Sequence, residues 1–303
     1  MMHRSTGAPA DWSLARVVEK LSEMVDFNRN LTGFGAMMSP AETAAIDAGL
    51  RAYMVRVYAY MGGGLVLGGL AALALSAVSV TDDVAQAAYV MRAGRVIPIP
   101  AGLAVQSRDI LLTGLGHAVL VSPLKWAIIF APLVLVIGLS FGAGRLRPAT
   151  AQVLFWLYAT LIGLSLASLL LVYGHISVAR ALFVAAAAFG ALSLWGHTTR
   201  RDLGALRSFA VVGLLGLVAA GLVNLAMAGT TPLHWAVSVA GVGVFAALTA
   251  WDTQRLKSEY LYGAMGGARA ERSAIIGALT LYLDVINLFT LLVLVQVLGQ
   301  REE

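Results

Sequence analysis

Cysteine is absent from this 303-residue chain. That excludes disulfides, cysteine-based zinc sites, thiol nucleophiles and iron–sulfur ligation together. Charge is also scarce. Asp, Glu, Lys and Arg make up 12% of the residues, against about 25% in a typical soluble domain. A soluble globule of this length needs a polar shell, and this chain has too little charge to build one. What it has instead is apolar: 59% of residues are hydrophobic and the mean hydropathy is +0.81. The expected class is an all-α integral membrane protein.

A membrane-crossing helix takes about 20 apolar residues. Seven runs approach that length: Val57–Val80, Leu124–Phe141, Val153–Val172, Ala181–Leu194, Phe209–Met227, Trp235–Trp251 and Ile275–Leu298. The fourth is short and needs its flanks, Ile176 and Trp195, to cross. Residues 1–50 read as a polar N-terminal tail, with a short surface helix expected over Ser13–Asp26. No signal peptide is evident, because the first long apolar run begins only near Val57. Ser39, Pro40 and Glu42 have the spacing of a helix start that runs on into the first span. Residues 51–303 form the expected seven-helix membrane domain, interrupted by an extended outer loop at 81–123. Within that loop Ile110–Val121 is too short to span and is expected to lie at the interface.

Basic residues orient the chain. With the N-terminus in the cytoplasm, Arg145 and Arg147, then Arg200, Arg201 and Arg207, then Arg255, Lys257, Arg269 and Arg272 all face inside. Arg4, Arg16, Lys20, Arg29, Arg51 and Arg56 join them, making fifteen of the 21 basic residues. The expected location is the inner cell membrane, with the C-terminus outside. The net charge of +5 is accounted for by these loops, and no nucleic-acid partner is inferred from it.

Two carboxylates stand out along the spans, Asp252 and Asp284. An acid near the bilayer centre costs about 2.5–3.5 kcal/mol on insertion scales, so one that is retained there points to function. Asp284 has apolar sequence on both sides, whereas Asp252 ends the sixth run, three residues before Arg255. The two spans are consecutive and antiparallel, so the acids can meet. Depth stands against it: Asp284 lies about 13 Å along the helix from Ile275, counting roughly 1.5 Å per residue. If they meet, both cannot stay ionised cheaply, and they share protons. The plainer alternative is that each acid pairs with a hydroxyl or an arginine and locks helices. Asn224, Asn287 and Tyr282 are further polar groups in apolar settings, with interhelical hydrogen bonding as the simplest reading. Gly62, Gly63, Gly64, Gly68 and Gly69, and likewise Gly213, Gly216 and Gly221, suit close helix packing. No histidine pair has metal-ligand spacing. Gly138-Leu139-Ser140-Phe141-Gly142 matches a nucleophile-elbow pattern, but that chemistry needs a strand–turn–helix and the match falls inside a span.

Three segments resemble the Bax inhibitor-1 family in the right order: Phe189 to Leu203, Leu248 to Lys257, and Gly277 to Phe289. Tyr53-Met54 with Val57-Tyr58 is similar to the start of the family's first span. The resemblance covers most of the chain from about residue 50 and suggests a bacterial member. It implies seven helices, the last one central and wrapped by the other six. It also implies a pH-sensitive calcium leak gated by a proton-sharing aspartate pair, at the positions of Asp252 and Asp284. In some members an arginine after helix two latches onto the helix-six aspartate, and Arg145 or Arg147 matches it. Two stretches depart from the pattern by their length, the outer loop and the loop from Ser258 to Ser273.

Calcium takes six to eight oxygens, so two carboxylates suit weak or transient calcium contact and no resident cofactor. The competing functional reading is a non-transporting regulator that binds other membrane proteins, such as a membrane protease. An intramembrane aspartyl protease is a third. The Gly-x-Gly-Asp pattern of presenilin-like proteases is absent, because Asp284 follows Tyr282-Leu283. Membrane lipids are the remaining expected partners, and no enzymatic activity is expected.

Overall fold

The computed structural model describes residues 39–92, 95–99, 109–142, 146–173, 175–226, 231–263 and 267–299. The expected helix at Ser13–Asp26 and the latch candidate Arg145 lie outside them. By internal packing the chain divides into Met1–Gly49 and Leu50–Glu303.

The described part is helical apart from one small sheet. Helix α1 runs over Pro40–Ser79. It starts as the sequence predicts. The Glu42 amide donates to Ser39 Oγ at 3.3 Å, and the Ser39 amide donates to Glu42 Oε2 at 2.8 Å, a reciprocal capping box. Strands β1 (Tyr89–Arg92), β2 (Arg95–Pro98) and β3 (Ile110–Leu112) form an antiparallel sheet in the order β2-β1-β3. Helix α2 (Gly114–Leu120) and helix α3 (Leu124–Gly142) follow. The remaining helices are α4 (Pro148–Tyr173), α5 (His175–Thr198), α6 (Gly204–Ala226), α7 (Thr231–Gly263) and α8 (Gly267–Gly299).

Six of these helices are long and apolar enough to cross a membrane, or seven if the bent pair α2–α3 is one span. The pair turns through 51°. Pro123 cannot continue the helix, and the Leu124 amide takes a new cap from Ser122 Oγ at 3.2 Å. The break therefore falls between α2 and α3, while the last helix is continuous from Gly267 to Gly299. The fourth apolar run does recruit its flanks, since α5 extends from His175 to Thr198. The nucleophile-elbow match lies wholly within α3.

Two expectations need correction. The region 81–123 is not simply loop and interfacial segment. Its strands dock on the end of α1: Thr113 Oγ1 donates to the Val78 carbonyl at 2.8 Å, and the Thr113 and Thr81 amides bond Ser79 and Leu111 at 3.1 Å. Arg92 bridges β1 to Asp109, whose side chain is 1% exposed, with Nε and Nη2 donating at 2.9 and 2.6 Å. Such a two-pronged contact holds a carboxylate in one orientation. The second correction is the stretch 258–273. It is not a long loop, because α7 continues as helix to Gly263 and α8 begins at Gly267. Gly267 has φ +59°, a backbone turn that favours glycine.

Helix α8 is the innermost. Half of its apolar window is buried, against a third for α7 and 6% for α6. It packs on α7, α5 and α4. Tyr282 is fully buried and meets Phe155 and Tyr158 edge-on, with ring centroids 5.9 Å apart in each case. Among the glycines of the first span, Gly63, Gly64 and Gly68 face neighbours closely, whereas Gly62 and Gly69 face open space.

Candidate functional site: a buried aspartate pair

The antiparallel register of α7 and α8 decides whether the two acids meet. A Cβ added at Gly277 would touch Leu256, and one added at Gly241 would touch Leu291. These contacts fix a register that sets Asp252 level with Leu281, and Asp284 level with Thr249. The acids are therefore offset by three residues, about 4.5 Å along the axes. The depth difference expected from sequence shrinks because α7 does not end near Asp252. It runs eleven residues further, to Gly263, as helix.

Both carboxylates are buried: Asp252 is 5% exposed and Asp284 4%. They lie within electrostatic reach of one another. Oδ2 of Asp284 is enclosed and finds no hydrogen-bond partner among the described residues. An unbonded buried carboxylate oxygen is costly unless it carries or shares a proton, or meets a cation. Asp252 faces a cation on one side, with its Oδ1 3.9 Å from Nη1 of Arg255. Arg255 is divided. Its Nε donates to Glu259 at 2.7 Å, and its guanidinium lies 5.5 Å from the ring centre of Trp251. Arg207 approaches the same ring at 5.2 Å. A cleft of about 480 Å³, lined by Arg207, Trp251, Arg255, Ser258 and Glu259, opens beside this pair. Among the described residues no group of three or more His, Asp or Glu is placed to hold a metal ion.

A line of hydroxyls beside Asp252 ties three helices together. Tyr58 OH on α1 lies 2.7 Å from Ser193 Oγ on α5, which lies 3.0 Å from Thr253 Oγ1 on α7. Tyr53 OH reaches Ser273 on α8 at 3.1 Å. The residues after Asp252 clamp the α5–α6 turn. Gln254 accepts from the Leu203 amide at 2.9 Å and donates to the Arg201 carbonyl at 2.7 Å, while Lys257 Nζ donates to the His197 carbonyl at 3.0 Å. Close helix approach supports this: a Cβ at Gly196 would collide with the Ala250 carbonyl. This network leaves no mark in the sequence, because hydroxyls on separate helices carry no spacing signal.

The other expected residues divide. Tyr282 OH donates to the Ala159 carbonyl at 3.4 Å, so it anchors α8 to α4. Asn287 donates to Leu283 on its own helix at 2.8 Å. The side chain of Asn224 lies outside the described part. Arg147 is exposed and, among the described residues, makes no ion pair with Asp252; Arg255 makes one instead.

Residues 50–303 match the family described as inhibitor of apoptosis-promoting Bax1. An uncharacterized protein of Caulobacter vibrioides is 40% identical over 89% of this chain and 96% of its own length. An uncharacterized protein of Rickettsia prowazekii is 38% identical over 92% of this chain and all of its own. The inner membrane protein YbhL of Escherichia coli is 38% identical over 84% and 94%. With apolar helices in number and a family match from Leu50 to the last residue, this chain is a multi-pass membrane protein that belongs to the Bax inhibitor-1 family.

Proposed function

We propose that the chain is a pH-sensitive leak for cations such as calcium, with Asp252 and Asp284 as its gate and its ion-facing carboxylates. The observation that carries this reading is the enclosed Oδ2 of Asp284, with no hydrogen-bond partner among the described residues, together with a second buried acid on the neighbouring helix. In this arrangement seven helices cross, α2–α3 being one bent span, and α8 is central. The N-terminus lies in the cytoplasm and the C-terminus outside. The basic cleft beside Trp251 is then the cytoplasmic mouth.

Near neutral pH the pair holds one proton and one negative charge, and Arg255 balances that charge. A second proton leaves the pair neutral, so the charge-assisted shared-proton bond between α7 and α8 gives way to a weaker neutral contact, and Arg255, on α7 like Asp252, is released. The closed state is favoured at higher pH and opening increases as pH falls. Two carboxylates supply at most four oxygens of the six to eight that calcium takes, so the ion passes largely hydrated and binds weakly. Arg145 and Arg147 remain the candidates for a cytoplasmic latch on the same carboxylate.

Wild-type protein reconstituted in liposomes that contain a calcium-sensitive dye gives the test. Influx above that of protein-free liposomes, rising on acidification, is the expected result. Influx equal to protein-free liposomes at every pH overturns the leak and favours the reading as a regulator of other membrane proteins.

A further inference from the structure

A carbon-lined groove opens on the flank of the bundle between α1 and α5. Its volume is about 620 Å³, within the range of about 300–1,000 Å³ usual for small-ligand sites. Gly68, Gly69 and Ala72 hollow out the α1 wall, Val178 and Leu182 form the α5 wall, and Tyr282 is at the floor. A hydrated ion finds no polar partners along such walls, so the groove is not part of an ion path. Beside it lies a shallower cavity lined by Arg180, Phe183 and Gln296, and Ala179 borders both. Arg180 is exposed, and among the described residues no carboxylate pairs with it. Helix α5 carries no acid, and neither does α8 beyond Asp284. A cation with no carboxylate partner among the described residues therefore stands next to an apolar slot.

We propose that this groove seats one acyl chain of a phospholipid, whose headgroup phosphate is held by Arg180. Shape argues against a protein partner. A helix with its side chains is about 10 Å across, so it would fill this volume in roughly 8 Å, about one and a half turns. An acyl chain is narrow enough to follow the slot to Tyr282. Charge chooses the headgroup: one Arg near a lipid surface favours an anionic lipid by about fivefold. The proposal does not depend on ion leakage.

Native mass spectrometry of the full chain tests it, with phosphatidylglycerol and phosphatidylcholine of matched chains offered at equal concentration. The expected wild-type result is one retained lipid per chain, with phosphatidylglycerol favoured about fivefold. Arg180→Gln is expected to keep a lipid and lose the preference. Gly69→Leu places a side chain in the slot, and its Cβ meets no atom within 4 Å; it is expected to lose both lipids. Ala179→Leu fills the slot from the α5 side and gives the same readout if Gly69→Leu does not fold. Wild-type retention in both filling variants, an unchanged preference in Arg180→Gln, or a second copy of the chain in place of lipid overturns the proposal.

Discussion

Asp252→Asn is expected to raise calcium influx at neutral pH to a level that the wild type reaches only in acid. Asparagine keeps the shape of the carboxyl and cannot ionise, so it stands for the protonated state. In the proposed gate an ionised Asp252 holds Arg255, 3.9 Å away, and proton uptake cancels that hold. The variant therefore begins near where acidification ends, and its acid-to-neutral rate ratio is smaller than that of the wild type. The size of the effect follows from the contact. At 3.9 Å, with the Arg255 side chain 49% exposed, the ion pair alone is worth little. Loss of the charge beside a second buried acid adds to it. Together they place the expected increase near the lower end of coupling effects, about fivefold. Initial rates in dye-loaded liposomes at neutral and acid pH check this. If Asp252→Asn keeps the wild-type ratio of acid to neutral rates, Asp252 is not the proton acceptor.

The largest expected effect on stability is at Gly163. A Cβ there would collide with the backbone of Gly68, and one at Gly68 would lie 2.9 Å from the Ala159 carbonyl and 3.0 Å from Tyr282 OH. The backbones of α1 and α4 touch at this crossing, as small residues allow in membrane helix pairs. Backbone cannot rotate aside as a side chain can, so Gly163→Leu must drive the two helices apart. Overpacking of a close core contact costs about 1–3 kcal/mol, and a forced backbone separation sits at or above the top of that range. The measurement is the amount of folded chain recovered in mild detergent and its melting temperature. Gly163→Leu is expected to give little folded protein. Gly216→Leu, whose Cβ meets no atom within 4 Å, is expected to match the wild type. Equal recovery of both would show that the α1–α4 crossing is not held closed by its glycines.

Much of the membrane architecture is legible in sequence because each span needs a long apolar run. The acids are legible for the same reason: a carboxylate is conspicuous where almost nothing else is charged. Features governed by other forces are less visible. The ends of α7 and α8 carry Arg255, Lys257, Glu259, Arg269, Glu271 and Arg272, with Gly263, Gly266 and Gly267 between them. Charge and glycine together imitate a loop, although the helices continue beyond the apolar runs. That continuation is what brings Asp252 and Asp284 to nearly the same level. Strands of three or four residues, as in β1 to β3, are too short to show alternation. Arg255 was visible three residues after Asp252, the spacing of neighbours on one helix face. The side of the helix on which Asp284 would lie was not, because register between helices comes from contacts such as Leu256 on Gly277.

In the proposed gate Asp252 and Asp284 bind protons as one unit. Infrared difference spectra between neutral and acid pH test it most directly, because a protonated carboxyl absorbs apart from an ionised one. Wild type, Asp252→Asn and Asp284→Asn would be compared in the same lipid. A protonated-carboxyl band gained by the wild type on acidification is expected to be shifted in position or pH midpoint in each variant, since each loses the partner that shares its proton. Identical bands with identical midpoints in all three proteins would contradict it.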